Sequence, residues 1–267
     1  MRYIAAVLVT ASLTDFLRLA SALNVSIQID TAIATASPLL VSHGWEAWQM
    51  MDELSTMQLP QPIAIIGHLS PSVVRVGGIS ADWIRYIVEP GMTDDHVSRF
   101  PREPLGGSWP SEPRNMSLYV LYSLIDMMAS ANTSLLFDLS ELYGRNCNTT
   151  KPGCPSCDDW CATSPPWDMT NIRALLERIH EDNRTNTTLY GFELGNELAS
   201  HLDPYANVAD VLALASVIRE IWSDNDVPPL LAPSTDDCWS SDMAQIMRNI
   251  TPAVYAFTYH AYPGMYK

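Results

Sequence analysis

A chain of 267 residues can bury a substantial core, and since a single α/β barrel takes about 250 residues, one domain is the first expectation. Its 30 acidic residues against 15 basic ones leave a formal charge of −15, which argues against nucleic acid and against capture of a polyanion by bulk charge. An acidic sugar would have to be recognised locally.

Arg2, the apolar run from Tyr3 to Leu13 and the small-residue site Ala20-Ser21-Ala22 read as a signal peptide over residues 1–22. Asp15 and Arg18 fall late in that stretch, so an amphipathic helix opening the domain is the alternative. Seven Asn-x-Ser/Thr sequons, at Asn24, Asn115, Asn132, Asn148, Asn183, Asn186 and Asn249, favour a secreted or lysosomal route. No later uninterrupted apolar run reaches the about 18 residues of a spanning helix. Membrane association and oligomeric state are left open.

From residue 23 to 267, strand-length apolar segments alternate with segments of helical period, the pattern of repeated βα units. Asn24 to Asp30 alternates apolar and polar residues and reads as the first strand. The segment holding His43-Gly44-Trp45 and Trp48 then reads as helical, followed by a Pro-punctuated stretch around Leu59 to Pro62. Val73 to Val76 is the second strand, closed by Gly77-Gly78. Ser117 to Ala131 spaces Leu118, Leu121, Leu124, Ile125 and Met128 along one helix face, and Leu135 to Leu139 makes a third strand.

Cys147, Cys154, Cys157 and Cys161 crowd into a loop at 145–168 whose Gly, Pro, Asn and Asp residues cannot build a core. Disulfides suit an oxidising compartment; a tetrahedral zinc cluster is the rival. The remaining cysteine, Cys238, is free or pairs outside the sequence. Thr170-Asn171 opens a helix with Ile172, Leu175, Leu176 and Ile179 along one side. Leu189 to Leu194 is the fourth strand, Val208 to Trp222 a helix, Leu230 to Ala232 the fifth strand, Asp242 to Asn249 a helix, and Val254 to Tyr259 the sixth strand. A closed (β/α)8 TIM barrel needs eight strands, so the expectation is a barrel truncated after its sixth.

The fourth strand ends in Gly195-Asn196-Glu197, an amide beside a carboxyl. In glycoside cleavage the leaving oxygen is a poor base and needs a carboxylic acid held against it, a role that Glu197 can fill from a rigid strand end. Asn196 can donate to a sugar hydroxyl. The plainer reading is that the pair merely ends a strand. Asp30 can bond a sugar at the barrel mouth or cap the next loop, with equal claim. His260 and Tyr262, after the sixth strand, can touch the sugar or orient the nucleophile, or simply pack. Arg75 reads as pairing with a carboxylate inside the barrel, and Glu193 as part of a buried ion pair. Trp45, Trp48, Trp83 and Trp239 can stack on sugar faces, but packing is the default for such residues and they are left out of the site.

Val25-Ser26-Ile27-Gln28-Ile29-Asp30, Val74-Arg75-Val76-Gly77-Gly78 with Asp82, Phe192-Glu193-Leu194-Gly195-Asn196-Glu197 and Thr258-Tyr259-His260-Ala261-Tyr262, in that order and spacing, resemble glycoside hydrolase family 79, the heparanase and endo-β-glucuronidase family. The resemblance implies a (β/α)8 barrel followed by a β-sandwich, a carbohydrate substrate of β-glucuronide or glycosaminoglycan type, no cofactor and no metal. It also implies a retaining mechanism with its acid/base on strand four, matched by Glu197, and a glutamate nucleophile on strand seven. That nucleophile has no counterpart in the sequence, so the 267-residue chain is expected to be inactive alone. Family members that cut heparan sulfate carry basic residues after strand five, where this chain reads Ala232 to Trp239 without a cation. Ile79 replaces a threonine, and Thr31-Ala32 follows Asp30 where an asparagine is expected. These departures favour β-glucuronide cleavage over heparan-sulfate specificity. Another barrel glycosidase of β-glucosidase or xylosidase type, or a non-catalytic carbohydrate-binding pseudoenzyme, are the alternatives.

Overall fold

The computed structural model describes residues 37, 39, 42–88, 114–145, 166–182, 188–198, 202–223, 226–235 and 242–261, and the elements below all lie in the unit Pro38–Lys267. Strand β1 (His43–Glu46) runs into helix α1 (Ala47–Met57) and helix α2 (Pro60–Gly67). Proline suits the opening turn of α2, where no intrahelical N–H is needed. Strand β2 (Val73–Gly77) is followed by a 3-10 turn (Ile79–Trp83) and strand β3 (Ile84–Ile87). Strand β4 (Arg114–Ser117) leads into helix α3 (Leu118–Ser130), whose first turn is capped by the Ser117 hydroxyl accepting from the Val120 N–H.

Strand β5 (Ser134–Leu139), helix α4 (Thr170–Glu181) and strand β6 (Leu189–Leu194) come next. Helix α5 (Pro204–Ile221) starts from Asp203, whose carboxylate accepts from the N–H groups of Tyr205 and Ala206. Strand β7 (Leu230–Thr235), helix α6 (Met243–Ile250) and strand β8 (Ala256–Tyr259) complete the order.

Six strands form one sheet in the order β1-β2-β5-β6-β7-β8, every pair parallel, while β3 and β4 make a separate parallel pair. Parallel strands joined through helices are the repeating unit of the barrel, and the chain forms part of a (β/α)8 barrel. Val74, Val76, Leu135, Phe137, Leu139, Phe192 and Leu194 join the helix faces in the main core. Alternation turns the intervening residues to the other face, where Val73, Leu136 and Leu231 cluster with Tyr190 and Ala256. Two residues further along β2 and β5, on this same face, stand Arg75 and Asp138.

Three expectations need correction. The strand beside β2 is His43–Glu46, in register His43 to Val74 through Glu46 to Gly77, where a helical segment was expected. Pairing with a neighbouring strand overrides the weak local preference of a Gly-Trp-Glu segment. Second, β3 and β4 were not anticipated: each has four residues, too short for a periodic signal, and they pair across a long sequence gap. Third, Ser117 belongs to β4 and caps α3 instead of lying inside it. The expected leader and first strand, and Cys147, Cys154, Cys157, Cys161 and Cys238, lie outside the described residues.

Candidate active site

A cleft of about 290 Å3 opens at the C-terminal ends of the sheet strands, lined by Gly44, Trp45, Glu46, Arg75, Gly78, Ile79, Asn196, Glu197 and His260. It sits near the lower end of the roughly 300–1000 Å3 range of small-molecule clefts. The lining joins the ends of β1 and β8, which are opposite edges of the six-stranded sheet. Strands lie about 4.8 Å apart, so a flat sheet would hold those edges more than about 20 Å from each other. The shared cleft therefore requires a strongly rolled sheet.

Strand β6 delivers the central pair. Beyond Leu194, Asn196 is buried and its N–H donates to Asp82 Oδ2 at 2.9 Å. Glu197 adopts φ 55, in the left-handed region, and its N–H donates to the Ser234 carbonyl at 2.7 Å. Its carboxylate, with the side chain 20% exposed, meets His260 Nδ1 at 2.7 Å. His260 in turn lies 3.3 Å from the Ser234 hydroxyl through Nε2. Glu197, Asn196 and His260 are thus brought together at the cleft, with His260 against Glu197, a contact the sequence reading did not foresee. Asp30 and Tyr262 lie outside the described residues.

Beneath the cleft, Arg75 anchors a charged layer. Its Nη2 donates to Asp138 Oδ2 at 2.9 Å and to Asn196 Oδ1 at 3.0 Å, and its Nε donates to Glu193 Oε2. One guanidinium thus faces two buried carboxyls. Burial works against the charge of Arg75, but Asp138 and Glu193 outweigh it and hold the guanidinium protonated beyond its usual range. Burial drives the Asp138 carboxyl well up, with Arg75 opposing and Glu193 reinforcing the rise. Gly77 makes room for this layer. A Cβ on Gly77 would sit 2.6 Å from Asp138 Oδ2, while one on Gly78, at φ 90, would collide with the Glu46 carboxylate at the cleft edge.

A second buried group supports Asn196 from behind. Asp82 Oδ1 accepts from the Glu141 N–H at 3.2 Å, and Glu141 accepts from Asn207 Nδ2 at 2.9 and 3.1 Å through its two oxygens. Burial pushes the Glu141 carboxyl up to about 7, with Arg145 and Asn207 pulling it back. Asp82 is also raised well above the usual carboxylate range, by burial first and then by Glu141.

A family model described as "Glycosyl hydrolase family 79, N-terminal domain" matches residues 44–265. The chain belongs to glycosyl hydrolase family 79. A search of curated proteins found no match. Among solved structures, this family 79 chain is similar to a monomeric beta-xylosidase from Caulobacter crescentus CB15, with 15% identity, TM-score 0.47, and coverage of 83% of this chain and 41% of the other. A GH39 enzyme from Xanthomonas axonopodis pv. citri gives 15% identity, TM-score 0.47 and coverage of 83% and 40%. A GH39 beta-xylosidase from Caulobacter crescentus gives 16%, TM-score 0.48 and coverage of 85% and 47%. The family 79 chain spans less than half the length of each of these three.

Two cleft residues were missed by sequence reasoning. Glu46 stands at the end of β1, accepting from the Ser80 N–H at 2.9 Å. Its signal, a carboxylate closing a short segment before a helix, was hidden by reading that segment as helical. Trp45, left out of the site with packing as its default, lines the cleft while also touching the core.

Proposed function

We propose that the protein is a retaining glycoside hydrolase in which Glu197 is the acid/base, acting on β-glucuronides. One observation carries the reading: a carboxylate at the end of the fourth sheet strand faces a cleft and is gripped by His260 at 2.7 Å. Such a group can give a proton to the leaving oxygen and later take one from water. Asn196, whose Oδ1 is held by Arg75, keeps its amide hydrogens for a sugar hydroxyl. Retaining chemistry needs a second carboxylate about 5–5.5 Å away, which the family resemblance assigns to a strand beyond β8. Residues 1–22 and the seven sequons support a secretory route for the protein.

A second reading, cleavage of an uncharged β-glucoside or β-xyloside, is favoured by the charges of the cleft. Glu46 and Glu197 are its acids, and Arg75, the cation among its described lining residues, is already bonded to Asp138 and Glu193. A uronate would meet negative charge without a free cation there.

The test is a panel of aryl β-glycosides offered to the full-length protein. Turnover of the glucuronide with retention of anomeric configuration, lost by about 10³-fold or more in Glu197→Gln as expected for a removed general acid, is the expected result. Preference for the glucoside or xyloside selects the second reading. Glycan binding without hydrolysis of any member selects a pseudoenzyme and sinks both.

A further inference from the structure

Ser234 grips Glu197 at both ends. Its carbonyl accepts the Glu197 N–H at 2.7 Å, while its fully buried hydroxyl lies 3.3 Å from His260 Nε2, the ring that bonds the Glu197 carboxylate through Nδ1. On its other side the same hydroxyl receives Arg75 Nη2 at 3.3 Å. The Ser234 backbone is itself held, its N–H donating to Thr258 Oγ1 at 3.0 Å.

These contacts have a direction. A guanidinium only donates, so the oxygen of Ser234 presents one lone pair to Arg75 and leaves its proton able to point at Nε2. An imidazole that accepts at Nε2 carries its proton at Nδ1, where it donates to Glu197 Oε1. Ser234 does this from φ 50, a conformation glycine or asparagine would adopt more readily. Glycine would ease the backbone there but has no hydroxyl.

We propose that Ser234 is a positioning residue for Glu197, its hydroxyl fixing the Nδ1–H tautomer of His260 that holds the carboxylate in the cleft. The functional meaning rests on the acid/base reading of Glu197; the test does not. Glu197 alone also favours Nδ1–H, so the two influences must be separated by a double-mutant cycle. The full-length protein, ¹⁵N-labelled at histidine, is compared by NMR at a pH where the ring is neutral, as wild type, Ser234→Ala, Glu197→Gln and the double variant. His260→Gln identifies the resonances. A glutamine at 197 can donate or accept, leaving Ser234 to decide the tautomer.

The expected result is Nδ1–H in wild type and in Glu197→Gln, and mainly Nε2–H in the double variant. The tautomer ratio should change by about tenfold between the last two, about 1.4 kcal/mol. Nε2–H in Glu197→Gln with Ser234 intact, or an unchanged ratio in the double variant, overturns the proposal. Ser234→Gly, which tolerates φ 50, replaces Ser234→Ala if the latter does not fold. A tautomer that swings as expected in a protein that cleaves no glycoside keeps the positioning role and removes the glycosidase reading. Hydrolysis with an indifferent tautomer does the reverse.

Discussion

Glu46 places a fixed carboxylate at the edge of the cleft, close over Gly78 and tied to the Ser80 N–H. A glucuronate bound against it would suffer like-charge repulsion that a neutral sugar escapes. Two like charges a few ångströms apart cost on the order of 1 kcal/mol where water screens them, and more where it is excluded. Glu46→Gln should therefore raise kcat/KM for an aryl glucuronide relative to the matching glucoside by about tenfold. An unchanged ratio would place the uronate carboxylate away from β1. The same crowding bears on Gly78: an alanine there must displace the Glu46 carboxylate and adopt φ 90, so Gly78→Ala should disturb the cleft as well as the fold.

Among the elements, the trio on β2, β5 and β6 shows how an apolar sheet tolerates charge. Arg75, Asp138 and Glu193 come from three adjacent strands and meet on one face above the apolar layer of Val73, Leu136 and Leu231. Removing only the cation would strand two buried carboxyls. Arg75→Met should destabilise the protein by about 3–5 kcal/mol, read by denaturant unfolding. Adding Asp138→Asn and Glu193→Gln should restore much of the loss, and a triple variant no more stable than Arg75→Met would contradict this account. Arg75 and Glu193 were each legible as a member of a compensated buried ion pair, because charges inside a barrel must be paired, but that they pair with each other was not. The strands β2, β5, β6 and β7 were legible for another reason: a parallel strand covered on both faces is written as a short, nearly continuous apolar run. His43–Glu46 carries no such run, and what makes it a strand is its partner β2. Glu46, Trp45 and Ser234 entered the site through contacts between distant segments, which no local pattern records.

At the scale of the whole molecule, the buried acids set a pH dependence. Glu141 rises from 4.5 to about 7 on folding, and Asp82 and Asp138 are raised too. Between those limits the folded state binds more protons than the unfolded chain, so stability is highest below the unfolded pKa and falls as pH rises towards about 7. For Glu141 the loss is up to about 3 kcal/mol. A melting temperature that declines from pH 4.5 to pH 7.5, with a shallower decline in Glu141→Gln, is expected; a melting temperature rising over that range would refute the assignment. At the edge of the sheet, Phe257 and Tyr259 on β8 and Tyr255 just before it are exposed. The 267-residue chain made by itself should self-associate through them, and Phe257→Lys with Tyr259→Lys should reduce its sedimentation coefficient to that of a monomer.

The roll of the sheet has a further consequence. Since β1 and β8 reach the same cleft from opposite margins, a sugar touching both would act as a strut across six strands, damping the breathing of the entire curve. Amide exchange in the two outermost strands would then slow in concert when a glycan is bound, although almost none of those amides touches it.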